Sequence, residues 1–470
     1  MSERTTPRYL STTAVAVVLT FAMVYGVSRF SEPDLWWHLR VGDWIRTTHD
    51  IVWRDPSAAL AQRDYVATQW LPEVVASWMY AHLGLGGILW LRTASLLALT
   101  ATVYAACRRF AGRLPAALVA AVALLGAGGG LNPRPQLVSF VLFAVCVLAW
   151  TGTARDVRPR WWLVPAFWLW GCCHGLWIFG LALGALDLIA MALDPKVGVS
   201  RAQLAKLVTL WLSCVAALCL TPLGPRLLTT PFGVATNASM IADEWKATPL
   251  NNAFSVTAVG CIVLCAILWG LRPQRRPWWQ ICQLGLAAAL TLWMWRLVPL
   301  GSIAVAPLLA GALQEAMSSA RREGSSPRER WSVTAGCCAL LAVAGLICAG
   351  PRGESASMYP KAMSTIGDQL DRIPPHTVVL DDFGVSGWLL WAHPALTPVA
   401  DLRGEIYNHQ YLADYRDALL AKPGWEGFVA RTGARVALLK KDSALADALE
   451  HRSRWEVVSS TPDFVLLRHA

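Results

Sequence analysis

Long apolar runs alternate with short basic clusters along this chain, and that alternation predicts its elements. A membrane helix needs roughly 20 apolar residues. Segments that meet or approach this length are 9–29, 85–106, 115–130, 136–152, 161–193, 204–221, 254–271, 278–295, 297–313 and 331–350. The run from Trp161 to Leu193 is too long for one helix and is interrupted at Cys173-His174-Gly175, so it divides there into two spans. The expectation is therefore a polytopic α-helical membrane protein of about eleven transmembrane helices.

The charges between the runs assign sides. Arg4 and Arg8; Arg108, Arg109 and Arg113; Arg155, Arg158 and Arg160; Lys196, Arg201 and Lys206; Arg272, Arg275 and Arg276; and Arg321, Arg322, Arg328 and Arg330 all fall on one side of this scheme. The positive-inside rule makes that side cytoplasmic, with the N-terminus inside and the C-terminus outside. Two polar segments, about 30–83 and 222–252, become external loops of a transmembrane domain 1–350. The first is rich enough in Trp, Leu and Val to lie on the membrane surface. The run after Arg8 lacks a small-residue cleavage site and is expected to be retained as a helix.

After Gly350 the composition changes, and 355–470 reads as a small soluble extracytoplasmic α/β domain. Thr377 to Leu380 is a β-branched run that ends in Asp381-Asp382-Phe383-Gly384, a strand-to-turn pattern, before a helix-like Trp388 to Trp391. Tyr407 to Leu420, Trp425 to Arg431 and Ala444 to Glu450 look helical. Val436 to Leu439, Val457-Val458 and Phe464 to Leu467 look like strands.

Composition supports the membrane reading and narrows the chemistry. The chain has 470 residues, 55% of them hydrophobic and only 15% charged, with a mean hydropathy of +0.42. Its 25 tryptophans cluster at the ends of apolar runs, and Trp161, Trp162, Trp278 and Trp279 mark interfaces. The net charge of +10 forms no continuous patch, which argues against nucleic acid. All 12 cysteines, Cys107 to Cys348, lie in or at the ends of apolar runs, which excludes a disulfide framework or a cysteine zinc site outside the membrane.

The candidate chemistry centres on Ser31 to Arg46, directly after the first span. Structurally, Ser31-x-x-Asp34 fits a capping box with Pro33 in the first turn. Trp37, Val41, Trp44 and Ile45 share an apolar stripe, with Asp43 paired to Arg40 or Arg46. Functionally, an acid at the membrane edge can meet a lipid-linked substrate. Asp34 and His38 are four apart and share a helix face; a carboxylate there could accept a proton from an acceptor hydroxyl or hold a divalent cation against a diphosphate. Arg40, Arg134, Arg226 and Arg296 fall on the external side near the loops that hold the acids, suited to gripping a lipid phosphate or to snorkelling. His174, at a helix break, is open to a packing role as well as a substrate-binding one.

Glu32-Pro33-Asp34-Leu35-Trp36-Trp37-His38-Leu39-Arg40, with Asp55-Pro56 downstream, resembles the first external loop of the GT-C glycosyltransferases, closest to the oligosaccharyltransferase catalytic subunits. The resemblance implies a bacterial plasma-membrane enzyme with a polyprenyl-phosphate-linked sugar donor and an unidentified extracytoplasmic acceptor. It implies Asp34 as base or metal ligand, with Mg or Mn the candidate cation, Glu32 as a second acid and Arg40 as the matching basic residue. Asp243-Glu244 lies in a later external loop where that family also keeps an acid, which makes Glu244 a third catalytic candidate and Asp243 a substrate-binding one. No WWDYG-type acceptor motif occurs in the C-terminal domain, which argues against asparagine glycosylation. The rival reading is a non-catalytic lipid-linked-glycan translocase or envelope-assembly scaffold. A translocase is expected to carry broken helices and polar pairs at the midplane, and here only Cys173-His174-Gly175 interrupts a span.

Overall fold

The computed structural model describes all residues except 1–7, 273, 318–323, 358, 360–362 and 453. Arg4, Arg321 and Arg322 therefore lie outside the described residues. The chain forms two compact units: residues 1–28, 88–229 and 244–353 make the first, and residues 29–87, 230–243 and 354–470 the second.

The first unit is a helical bundle. Its helices are α1 (Arg8–Gly26), the later part of α3 (Trp70–Arg108), α4 (Arg113–Ala127), α5 (Gln136–Asp156), α6 (Leu163–Cys173), α7 (Trp177–Leu193), α8 (Arg201–Cys219), α10 (Ala253–Gly270), α11 (Trp278–Trp293), α12 (Val298–Ala316) and α13 (Pro327–Cys348). Each expected span coincides with one of these. Among the described residues eight helices are long and apolar enough to cross a membrane, and α6 and α7 are shorter apolar helices. At 1.5 Å per residue α6 is only about 16 Å long, roughly half a hydrocarbon core. The break after it is real: His174 is extended at φ −175°.

α12 is the axis of the bundle. Every residue from Val298 to Ala310 is buried, although Pro307 lies inside it. Close approach replaces bulk here: a Cβ at Gly301 would lie 2.0 Å from the Thr291 hydroxyl and 2.7 Å from the Ala287 carbonyl of α11. Small residues at such crossings let backbones meet where lipid gives no hydrophobic drive. α13 is the reverse case, largely uncovered, with Leu346 79% exposed, as an apolar helix facing lipid should be.

The helices sort charge to the two ends. α4 and α12 run antiparallel, with Gly112 beside Gln314 at one end and Gly126 beside Ser302 at the other. Arg108, Arg113, Arg155, Arg272, Arg276, Glu315 and Glu329 gather at the first end, where Glu315 pairs with Arg276 at 2.6 Å. Arg134 and Arg296 lie at the other. Arg92, inside an expected span, also reaches that second end, donating to Leu131 O at 3.0 Å and Ser28 O at 3.1 Å.

The second unit holds a five-stranded sheet in the order β4 (Thr397–Pro398), β3 (Val378–Asp381), β5 (Val436–Lys440), β7 (Phe464–His469), β6 (Trp455–Ser460). β3 is parallel to β4 and β5, whereas β7 is antiparallel to β5 and β6. The expected strands and helices all appear, the helices being α14 (Ser364–Leu370), α15 (Phe383–Ala392), α16 (His409–Leu419), α17 (Trp425–Thr432) and α18 (Ala444–Arg452). α14 and the two-residue β4 were not expected. The Asp381-Asp382 pattern is a strand-to-helix junction: Asp382 caps α15 by accepting from Gly384 N at 2.8 Å.

The first polar segment and the middle of the second, residues 230–243, belong to this unit. Residues 29–87 contribute α2 (Asp34–Thr48), the antiparallel pair β1 (Val52–Trp53) and β2 (Tyr65–Val66), and the early turns of α3 up to the non-helical Gly84. The stripe expected to face lipid is instead covered by protein. Trp37, Val41 and Ile45 are buried in one cluster with Leu380, Leu390, Val399, Tyr407 and Leu439, and Trp44 packs against it. Residues 230–243 contribute α9 (Thr230–Ile241), whose Asn237 Nδ2 donates to the Gly404 and Tyr407 carbonyls at 3.0 and 2.8 Å. The capping box does not form either. Pro33 occupies the N-cap without a side-chain cap, and the Asp34 N–H is accepted by Glu32 at 3.3 Å.

Buried Arg403 ties the first polar segment to the sheet. It donates to Asp55 Oδ2 at 2.8 Å and to both oxygens of Asp401, beneath the rings of Trp53 and Tyr65. Arg403→Met strands two buried carboxylates and is expected to cost about 3–5 kcal/mol, read as a lower Tm of the purified chain by tryptophan fluorescence. Burial pushes the neighbouring Glu405 carboxyl up to about 7 from 4.5. The folded state then holds a proton the unfolded state releases, so the contribution of Glu405 to stability is fully present below about pH 4.5 and is lost as pH rises through about 7. Glu405→Gln should flatten that part of the Tm-against-pH curve and stabilise most at alkaline pH.

Candidate functional site

The sequence-derived candidates separate into two groups, one in each unit. In the second unit the group is built on α2. Asp34 is its first residue, half-buried, and accepts from Trp37 Nε1 at 3.3 Å. Glu32 is buried just before it. Both carboxylates thus stand at the start of a helix, where the exposed backbone N–H groups favour negative charge.

His38 does not turn to Asp34. Its ring is buried, with Nδ1 2.9 Å from Glu73 Oε1, and Tyr65 OH donates to the same oxygen at 3.3 Å. Glu73 is fully buried, so this trio fixes the inner face of α2. Arg40 stacks its guanidinium over Trp53 at 5.9 Å. Asp43 pairs with Arg46 at 3.4 Å, as expected, and also accepts from Ser77 Oγ at 2.6 Å.

In the first unit, Glu244 lies between two arginines. Its Oε2 accepts from Arg134 Nη1 at 3.0 Å and its Oε1 pairs with Arg296. Arg296 Nη2 is 3.1 Å from Nε2 of buried His174, and its guanidinium lies 5.1 Å from the Trp245 ring centre. The Trp295 N–H donates to Lys246 O at 3.1 Å, joining the two segments that carry the acid and the arginine. The Arg134, Arg296 and Glu244 side chains are 20%, 15% and 24% exposed, which leaves them within reach of a ligand. Planar guanidiniums such as these are the groups that grip a phosphate in a bidentate manner. Asp243 is exposed. Arg226 is exposed and makes no ion pair among the described residues.

Four of the candidates, Arg134, His174, Glu244 and Arg296, thus come together although they are far apart in sequence. Sequence reasoning missed Glu73, the Asp55–Arg403–Asp401 group and Asp187, which is fully buried in α7 with neither carboxylate oxygen hydrogen-bonded among the described residues. A lone acid in the apolar run 177–193 was a legible signal for Asp187. Nothing in the pattern marked Glu73.

Among the described residues no group of three or more His, Cys, Asp or Glu could hold a metal ion. Glu32 and Asp34 offer a pair of hard oxygen donors. That suits a Mg²⁺-like ion, which takes one or two carboxylates and completes its shell with water and substrate phosphate.

No family model matches the chain, and no curated protein matches its sequence. Solved structures do match its fold. ArnT from Cupriavidus metallidurans superposes in its apo state with a TM-score of 0.54 at 16% identity, covering 98% of this chain and 97% of that one. The same protein bound to undecaprenyl phosphate gives 0.51 at 16% identity, covering 98% of both chains. The arabinofuranosyltransferase AftD from Mycobacteria gives 0.52 at 13% identity, covering 99% of this chain and 40% of that one. The chain is a membrane protein that shares the fold of these structures.

Glu73→Ala leaves His38 and Tyr65 without their shared acceptor. The expected cost is about 1–3 kcal/mol for each orphaned partner, seen as a lower Tm, with Glu73→Gln recovering part of it.

Proposed function

We propose that this chain is an integral membrane glycosyltransferase that moves a sugar from a polyprenyl-phosphate-linked donor to an extracytoplasmic acceptor. The observation that carries this reading is the Arg134–Glu244–Arg296–His174 cluster. It lies at the end of the bundle opposite the main basic clusters, in a fold shared with a protein solved with undecaprenyl phosphate bound.

In the reaction, the bond between the sugar C1 and the phosphate oxygen breaks with its electron pair passing to the lipid phosphate. A bond forms from the acceptor hydroxyl oxygen to C1, and the hydroxyl proton goes to a base. Asp34 is that base. Arg134 and Arg296 meet the phosphate oxygens as charge develops on them, where fixed donors lower the barrier most. Glu244 holds both guanidiniums in position before the donor arrives, and His174 steadies Arg296 from its other side. Arg226, Arg40 and Asp243 are assigned as further substrate-binding residues. In the alternative role, Asp34 with Glu32 would hold a divalent cation, Mg²⁺ or Mn²⁺, which would supply Lewis-acid charge neutralisation.

The test is a mass-spectrometric profile of polyprenyl-phosphate sugars in cells carrying wild type, a deletion or Asp34→Asn at matched protein levels. One lipid-linked sugar is expected to accumulate in both mutants, with transfer by Asp34→Asn reduced about 10²–10⁴-fold. Arg296→Gln is expected to lower kcat/KM for the donor about 10²-fold. A deletion that changes the profile while Asp34→Asn does not would remove Asp34 from the mechanism and favour the translocase or scaffold.

A further inference from the structure

At the basic end of the bundle, a cavity of about 560 Å³ opens among α3, α5 and α13. Its mouth carries Arg108, Arg109, Arg155 and Arg330 against one carboxylate, Glu329. That carboxylate is already saturated. It takes Arg108 through Nε at 2.6 Å and Nη2 at 2.9 Å, Arg113 at 3.2 Å and Tyr104 OH at 2.7 Å.

Arg109, Arg155 and Arg330 make no ion pair among the described residues. Asp156, the nearby acid, is engaged by Arg160 through both oxygens at 2.5 and 2.7 Å. Arg155 Nη1 donates to the Arg109 carbonyl at 2.5 Å and its guanidinium lies 5.3 Å from the Phe110 ring centre, which holds it at the rim. Burial, with Arg160 and Arg155 close by, holds the Arg109 guanidinium below its ordinary range, and among the described residues this corner has more guanidiniums than carboxylates to pair them.

Below the mouth the walls turn apolar. The lining continues through Ala101, Thr102 and Ala105 on α3, Leu148 on α5, and Val333 and Thr334 on α13. Arg108 to Ala101 and Arg155 to Leu148 each span about 10 Å of helix rise. A charged rim over an apolar shaft of that depth matches an amphiphile held at the membrane edge, with its head on the arginines and an acyl chain between the helices. A small free anion would use only the rim.

We propose that this cavity binds an anionic phospholipid of the leaflet at the basic end, its phosphate held by Arg109, Arg155 and Arg330. Basic pockets between transmembrane helices on the cytoplasmic side are suited to such headgroups. The site is separate from the Glu244 cluster: α5 carries Arg134 just before one end and Arg155 near the other, about 30 Å apart. Binding here would clamp α13, the least covered helix, to α3 and α5.

The test uses the purified full chain in neutral detergent. Its Tm is followed by tryptophan fluorescence during titration with dioleoylphosphatidylglycerol, dioleoylphosphatidylcholine or inorganic phosphate. Phosphatidylglycerol is expected to raise Tm saturably at concentrations where the other two do not. Arg109→Gln/Arg155→Gln should weaken the apparent affinity by about tenfold or more, while Arg201→Gln/Lys206→Gln, which removes equal charge elsewhere at this end, should not. Ala105→Phe, which fills the shaft and leaves the arginines in place, should also weaken it. If inorganic phosphate reproduces the effect, the site is a free-anion site and the lipid assignment fails. Equal stabilisation by phosphatidylcholine, or an unchanged response in both cavity variants, overturns the proposal outright.

Discussion

A charged side chain in hydrocarbon costs several kcal/mol unless it reaches an interface or a partner, and the first unit is arranged around that cost. Basic residues collect at helix ends, and the acids among them are matched at short range: Glu315 to Arg276, Glu329 to Arg108 and Arg113, Glu244 to Arg134 and Arg296. Arg92 obeys the same rule from inside a helix by spending its donors on the Leu131 and Ser28 carbonyls and lying 4.7 Å from the Tyr25 ring centre. What distinguishes the two ends is the ratio. One end has arginines beyond what its carboxylates can match; the other concentrates two arginines on a single glutamate beside a histidine.

The second unit answers a different constraint. A sheet with two-residue and four-residue parallel strands cannot bury enough apolar surface alone, and α2, β1 and β2 from the first polar segment complete its core. Trp36 against Trp391 at 4.9 Å and Trp37 edge-on to Tyr65 at 5.9 Å are the aromatic contacts of that completion. Gly387 is required for it, because a Cβ there would lie 2.5 Å from the Pro33 carbonyl. The loop that carries Asp34 is therefore held rigidly on packed elements, which is what a positioned carboxylate needs.

This explains which parts were legible in the sequence. Spans and C-terminal strands were, because apolar run length and β-branched clusters report local structure directly. The fate of 30–83 was not. Trp37, Val41, Trp44 and Ile45 form the same amphipathic stripe whether lipid or protein covers it, and only tertiary structure supplies the cover. Ser31-x-x-Asp34 reads as a capping box, yet Pro33 takes the cap and Glu32 takes the Asp34 N–H. Spacing put His38 on the same helix face as Asp34 and gave no sign of Glu73, 35 residues on, which holds its ring. Local periodicity cannot rank a neighbour four residues away against a buried acid brought in by folding.

The candidate site was legible in identity and not in arrangement. Arg134 and Arg296 stood out as basic residues on the external side and Glu244 as an acid in a later external loop, and the fold gathers them around His174. At 16% identity over 98% of the chain, the likeness to ArnT is carried by hydrophobic pattern and element order, which fix a fold without fixing its chemistry. The functional argument therefore has to rest on side chains that the pattern alone would not require. A bundle of apolar helices has no structural need for a half-buried carboxylate shared by two guanidiniums and backed by an imidazole. Apolar packing at those positions would be at least as stable, so the retained charges are where function, and not folding, is the better account.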